Sequence, residues 1–171
     1  MPVNATLKVS LEMNETGALA NGGPFAGALL DFQSIFADGV GAQQIDRVCM
    51  VERTILTGAN DDIDLSGTGI QTLLGANIAA VELVGLVVMN RRKDPTLAAN
   101  TTNVTIGGSG SGVPGFVSAG LTLKPGGIFV AMSPDAAGLA TITNSTGDIL
   151  RLTNSAGATI IVTVALLLRS A

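Results

Sequence analysis

Apolar and polar residues alternate from Thr6 to Met13, with Leu7, Val9, Leu11 and Met13 on one face and Lys8, Ser10 and Glu12 on the other. A period of two marks a strand with one face covered. Glu15 to Phe25 contains Gly17, Gly22, Gly23 and Pro24 and reads as an extended loop. Leu29, Phe32, Ile35 and Phe36 recur at spacings of three and four, which predicts a short helix ended by Ala37-Asp38-Gly39.

Ile45 to Leu56 reads as a strand with a bulge, and Ile63 and Leu65 alternate with Asp62 and Asp64 in a shorter one. The run from Ile78 to Met89 is apolar on both faces, which predicts a strand covered on both sides, and Glu82 within it needs a partner or an edge. A polar turn, Asn90 to Pro95, precedes Val104 and Ile106, and a glycine-rich loop runs from Gly107 to Gly115. Leu121 and Leu123, Ile128 to Met132, Ala140 to Thr143, Asp148 to Thr153 and Thr159 to Leu168 follow, separated by turns at Pro125-Gly126-Gly127, Pro134 to Gly138, Gly147 and Asn154 to Gly157. Turn signals about every 8–12 residues with little helical period predict an all-β chain, an antiparallel β-sandwich of roughly eight strands, jelly-roll-like. Residues 1–41 form an N-terminal strand and extended arm or loop segment, and residues 42–171 form the sandwich domain.

Composition narrows the chemistry. The 171 residues include no His, Trp or Tyr, so Ser-His and Cys-His nucleophile pairs and His-containing zinc sites are excluded within one chain. Cys49 is the single cysteine and forms no intrachain disulfide; it reads as a small buried apolar residue. The net charge is −4 and the charged fraction 13 %, about half the usual share, which argues against nucleic acid as a partner. Low charge with 47 % apolar residues points instead to surface covered by other subunits. The runs Ile78 to Met89 and Ile160 to Leu168 fall far short of the ~20 residues of a spanning helix, so no membrane is expected. Met1-Pro2-Val3-Asn4 lacks the charged start and apolar core of a secretion signal.

Motifs with chemical potential are few. Gly110-Ser111-Gly112-Val113-Pro114-Gly115 has the letters of a dinucleotide fingerprint, but Pro114 and the strand-like residues after it leave no helix to hold a pyrophosphate, so no cofactor is expected. Asp62-Ile63-Asp64-Leu65-Ser66-Gly67 resembles the first half of a calcium loop, yet position twelve falls on Leu73. Asp61, Asp62 and Asp64 could hold a surface ion weakly, or form an acidic strand edge that discourages mispairing. Arg91-Arg92-Lys93 is the only basic cluster, either a solvated turn or a surface that pairs with an acidic patch on another subunit. The phenylalanines Phe25, Phe32 and Phe36 crowd one segment, which packs under a loop or as an arm on a neighbour. No paired acid and base can be nominated, and no enzyme is expected.

The segments Gln44 to Val48, Glu52 to Leu56, Asp62 to Leu65, Val84 to Asn90, Val104 to Gly108, Leu123 to Phe129 and Thr146 to Asn154 together resemble a group of small virion structural proteins of tailed bacteriophages. The resemblance spans Gln44 to Leu168 and leaves Met1 to Gly41 uncovered. It implies a β-sandwich cement protein, made in the host cytoplasm, that decorates the outer surface of the capsid as a homotrimer and bridges subunits of the major capsid protein. Phe25, Phe32, Phe36, Arg91, Arg92 and Lys93 are then the expected interface residues. The competing expectation is a tail or head-fibre adsorption module binding host-surface glycans; the lack of Trp and Tyr for stacking on sugars weighs against it.

Overall fold

A computed structural model of the chain describes residues 2–16, 25–67 and 69–170. These residues form strands and turns with no helix, and strands account for 52 %. The strands run β1 (Ala5–Thr16), β2 (Phe25–Asp38), β3 (Gln44–Ile45), β4 (Arg47–Ile55), β5 (Asn60–Asp64), β6 (Glu82–Met89), β7 (Val104–Gly107), β8 (Ala119–Leu123), β9 (Ile128–Met132), β10 (Ala140–Thr141), β11 (Ile149–Asn154) and β12 (Ile160–Arg169).

Two sheets enclose the main core. In one, the order is β10-β6-β12-β4, with β9 pairing along the same edge of β6; in the other it is β5-β11-β7-β8. Leu86 and Val88 of β6, Val162, Val164 and Leu166 of β12, and Cys49 and Ile55 of β4 face Ile63, Val104, Ile106, Leu150 and Leu152 of the second sheet in one continuous cluster. Alternation along each strand supplies this face, as a strand exposes successive side chains to opposite sides. Phe116 and Phe129 close it with an edge-to-face contact, ring centroids 6.3 Å apart.

A buried amide network fastens the long connection after β6. Asn90 donates to the carbonyls of Thr102 (2.8 Å) and Leu123 (3.1 Å) and accepts from Asn100 (2.9 Å). Asn154 donates through one amide nitrogen to the carbonyls of Ile55, Leu56 and Ala158 and accepts from Thr102 Oγ1 at 2.6 Å. Each buried amide has its partners, as a low-dielectric interior demands.

β1 and β2 make a separate antiparallel ribbon in continuous register from Ala5 opposite Phe36 to Thr16 opposite Phe25. The short helix expected over Leu29 to Phe36 is therefore a strand. Leu30, Phe32 and Phe36 also fit an alternation, and the neighbouring alternating strand β1 captures them, pairing the backbone groups along one edge of each strand. The loop expected over Glu15 to Phe25 falls mostly on residues 17–24, outside the described residues; its flanks, to Thr16 and from Phe25, are strand.

The ribbon's base is anchored on the outer face of the β6-containing sheet. Phe36, Ile45 and Val84 form a second small core, flanked by Val3, Ala5, Leu7, Val48, Met132 and Leu167. A register shift in the β6–β12 pairing between Leu167 and Leu168 turns Val84 outward into it. β6 is thus covered on both faces near its start, as its apolar pattern predicts. Glu82 finds its partner in Arg169, 2.8 Å away.

Candidate functional site

The most distinctive surface is apolar. Cross-strand partners in the ribbon share a face, and the register places Val9 opposite Phe32 and Leu11 opposite Leu30. Leu11, Met13, Leu30 and Phe32 are 48, 50, 55 and 47 % exposed on that face. The opposite face carries Lys8 and Asp31, paired at 3.3 Å, together with Ser10, Glu12 and Gln33 and the exposed Leu29 and Ile35. Among the described residues β1 pairs only with β2, and the other edge of β2 is paired only at Ala37 and Asp38.

The ribbon's apolar face continues onto the sandwich. Pairing across β4, β12, β6 and β9 sets Met50, Ala165, Val87 and Val130 in one row, and Met89 beside Ile128 in the next. All point away from the main core. Met50 and Ile128 are about half exposed. A groove of about 450 Å³ lies between ribbon and sheet, lined by Leu7, Val9, Leu30, Phe32, Val130 and Met132. A second of about 340 Å³ runs along the sheet face beside the ribbon's base, past Met50, Leu73, Val87 and Met89.

At the far end of this face is the basic turn after β6. Of the nine Lys and Arg residues, Arg91, Arg92, Lys93 and Lys124 form no salt bridge among the described residues, whereas Lys8, Arg47, Arg53, Arg151 and Arg169 each do. Asn90 tethers the two turns that carry them, since its backbone bonds to Gly126 and Gly127. The turn itself is held in place: Thr163 donates to the Arg91 carbonyl at 2.9 Å, and the Lys93 amide donates to Glu52 at 2.8 Å. The neighbouring Asp94 carboxyl is held below the usual carboxylate range by the Thr96 hydroxyl and amide, with Arg92 adding to the effect.

The expected interface residues therefore separate. Phe32 is exposed on the ribbon, and Arg91, Arg92 and Lys93 cluster at the end of the sheet. Phe36 is instead fully buried: its position at the ribbon's base directs the ring onto Ile45 and Val84, so it is an internal anchor. Phe25 opens β2, and its side chain lies outside the described residues. Met50, Ile128 and Val130 were missed by sequence reasoning; the alternation of β4 and β9 marks them as one face, but nothing local shows that the face lacks a cover.

The carboxylates considered as ion ligands are engaged elsewhere. Asp61 takes both of its hydrogen bonds from Arg53, at 2.6 Å each, and Asp62 takes a matching pair from Arg151. The Arg151 guanidinium holds the Asp62 carboxyl below the usual carboxylate range. Asp64 folds back to accept from the amides of Ser66 and Gly67. Asp61 diverges from Asp62 because successive strand residues point to opposite faces, and Asp64, on the face of Asp62, is drawn away onto its own turn. Among the described residues no three His, Cys, Asp or Glu converge on a common point. Cys49 is buried in the main core, and burial pushes its thiol pKa up, away from the reactive thiolate.

No protein-family model, curated protein or solved structure matches this chain.

Proposed function

We propose that this chain is a non-enzymatic structural protein of a tailed-bacteriophage virion, which decorates the outer surface of the capsid and stabilises it as a homotrimer bridging major capsid subunits. The observation that carries the reading is the broad apolar surface of ribbon and sheet, on a sandwich whose carboxylates are tied to arginines and backbone amides and whose only thiol is buried. Exposed apolar area of this extent marks an interaction site. Burying it across the seams of a shell would stabilise the assembled form, since whatever binds the native state alone shifts the equilibrium toward it.

The strand order supports reading the sandwich as a jelly roll with an N-terminal arm. Counting β4 to β9 and then β11 and β12 as eight consecutive strands, the first, eighth, third and sixth form one sheet, and the second, seventh, fourth and fifth form the other. That is the pairing two nested Greek keys produce. The β1–β2 ribbon precedes it and serves as the arm.

The test is to mix the purified full chain with capsids that lack it and to image the pelleted particles. Many copies distributed over the shell are expected. No binding, or a few copies at a single vertex, overturns the decoration reading, and retention on a glycan array would favour the adsorption module.

A further inference from the structure

We propose that the β1–β2 ribbon of one copy packs on the outer face of the β4-β12-β6-β9 sheet of a second copy, in a head-to-tail contact that closes into a ring. The proposal rests on the oligomeric reading above and names the partner and the two surfaces.

Three observations select a second copy as the occupant. The first is that the ribbon is incomplete alone. An isolated two-stranded hairpin is marginal in water and needs a further strand or a packed face. Here, among the described residues, both edges are unpaired over most of their length, and Leu11 and Leu30 on the apolar face are about half exposed. The second is fit. β1 has 12 residues and β12 has 10, so at a rise of ~3.4 Å per residue ribbon and sheet are about 40 and 34 Å long. The exposed apolar side chains of the two surfaces together present on the order of 600 Å², a little over a third of the ~1,600 Å² that a standard interface buries in total.

The third is charge. Between Val9 and Leu30 the only charged residues are Glu12 and Glu15, both acidic. The sheet face ends at Arg91, Arg92, Lys93 and Lys124, which lack salt bridges among the described residues. A ribbon lying along the sheet toward that end brings a segment of net negative charge near the basic turns, with Glu12 itself on the ribbon's polar face. Because the giving surface differs from the receiving one, the contact is heterologous, and such contacts close into rings when the rotation permits.

The experiment uses two variants of the full chain. One replaces ribbon residues, Leu11→Asp with Leu30→Asp; the other replaces sheet residues, Met50→Asp with Ile128→Asp. All four side chains are about half exposed, so the sandwich should fold, which far-UV circular dichroism and thermal unfolding verify. In analytical ultracentrifugation the unaltered chain should form one closed oligomer and each variant a monomer. Equal mixing of the two variants should give a dimer, because the intact ribbon of the sheet variant can still seat on the intact sheet of the ribbon variant. A monomeric unaltered chain at tens of micromolar, a ribbon variant that assembles normally, or folded variants that fail to complement each other would overturn the proposal. Shell binding by a persistent monomer sinks this contact and leaves decoration standing. A ring disrupted by these variants that never binds shells sinks decoration and leaves the contact standing.

Discussion

Arg169 is fully buried at the end of β12, and each nitrogen of its guanidinium has a partner. Nε donates to the Gln44 carbonyl at 2.8 Å, Nη1 to Glu82 and the Ala136 carbonyl, and Nη2 to the Asp135 carbonyl at 2.7 Å. One side chain thus ties β3, β6 and the loop before β10 to the C-terminal strand. Removing one partner of a buried pair strands the rest, so Arg169→Met should cost about 3 kcal/mol or more in urea unfolding. The more exposed Asp62–Arg151 pair is a different case. Unfolded aspartate titrates near 3.9, and the folded carboxyl lies lower because Arg151 donates to its charged form. The pair's contribution is therefore complete above about pH 4 and fades as pH falls through the folded value. Asp62→Asn should cost up to about 1 kcal/mol at neutral pH, given the exposure of the pair, and the difference from the unaltered chain should close as pH falls through the folded value.

Among the elements, the ribbon depends on its base. Phe36 and Val84 are the contacts that convert a free hairpin into part of the molecule. Phe36→Ala removes a fully buried ring and should cost about 3–5 kcal/mol, with loss of protection along β1 and β2 before the sandwich opens. In monomeric Leu11→Asp/Leu30→Asp protein, amides from Val9 to Met13 should exchange with solvent orders of magnitude faster than those of β6 and β12, which are central in their sheet and covered on both faces near the bulge. Equal protection of ribbon and sheet in the monomer would show that the ribbon needs no partner.

For the whole molecule, the balance of surfaces implies concentration-dependent stability. If the apolar ribbon and sheet are satisfied by other copies, the midpoint of thermal unfolding should rise with protein concentration over the micromolar range, as it does for any oligomer that dissociates on unfolding. A midpoint that stays constant between low and high concentration would point to a monomer. High salt should lower the apparent affinity between copies modestly, because it screens the attraction between the basic turns and the acidic ribbon segment and leaves the apolar contact intact.

The alternation of polar and apolar residues determined most of the strands, and the turn residues determined where they stop. β1, β7, β9, β11 and β12 stand close to where the pattern puts them, because a period of two and a glycine or asparagine turn are local properties. The both-faced apolar run from Ile78 to Met89 likewise announced a strand covered twice, although the strand itself begins only at Glu82. Local pattern could not decide Leu29 to Phe36, where spacings of three and four fit a helix and alternation fits a strand; the partner strand β1 decided it. Tertiary structure alone made Phe36 an anchor and Phe32 a surface residue, since both lie on the same face and differ only in how far they stand from the sandwich. It also drew Asp61, Asp62 and Asp64 apart onto Arg53, Arg151 and their own turn, and joined Met50, Ile128 and Val130 to the ribbon as one apolar surface. Those outcomes depend on which distant segments pair, and long-range pairing is set by the packing of the whole chain.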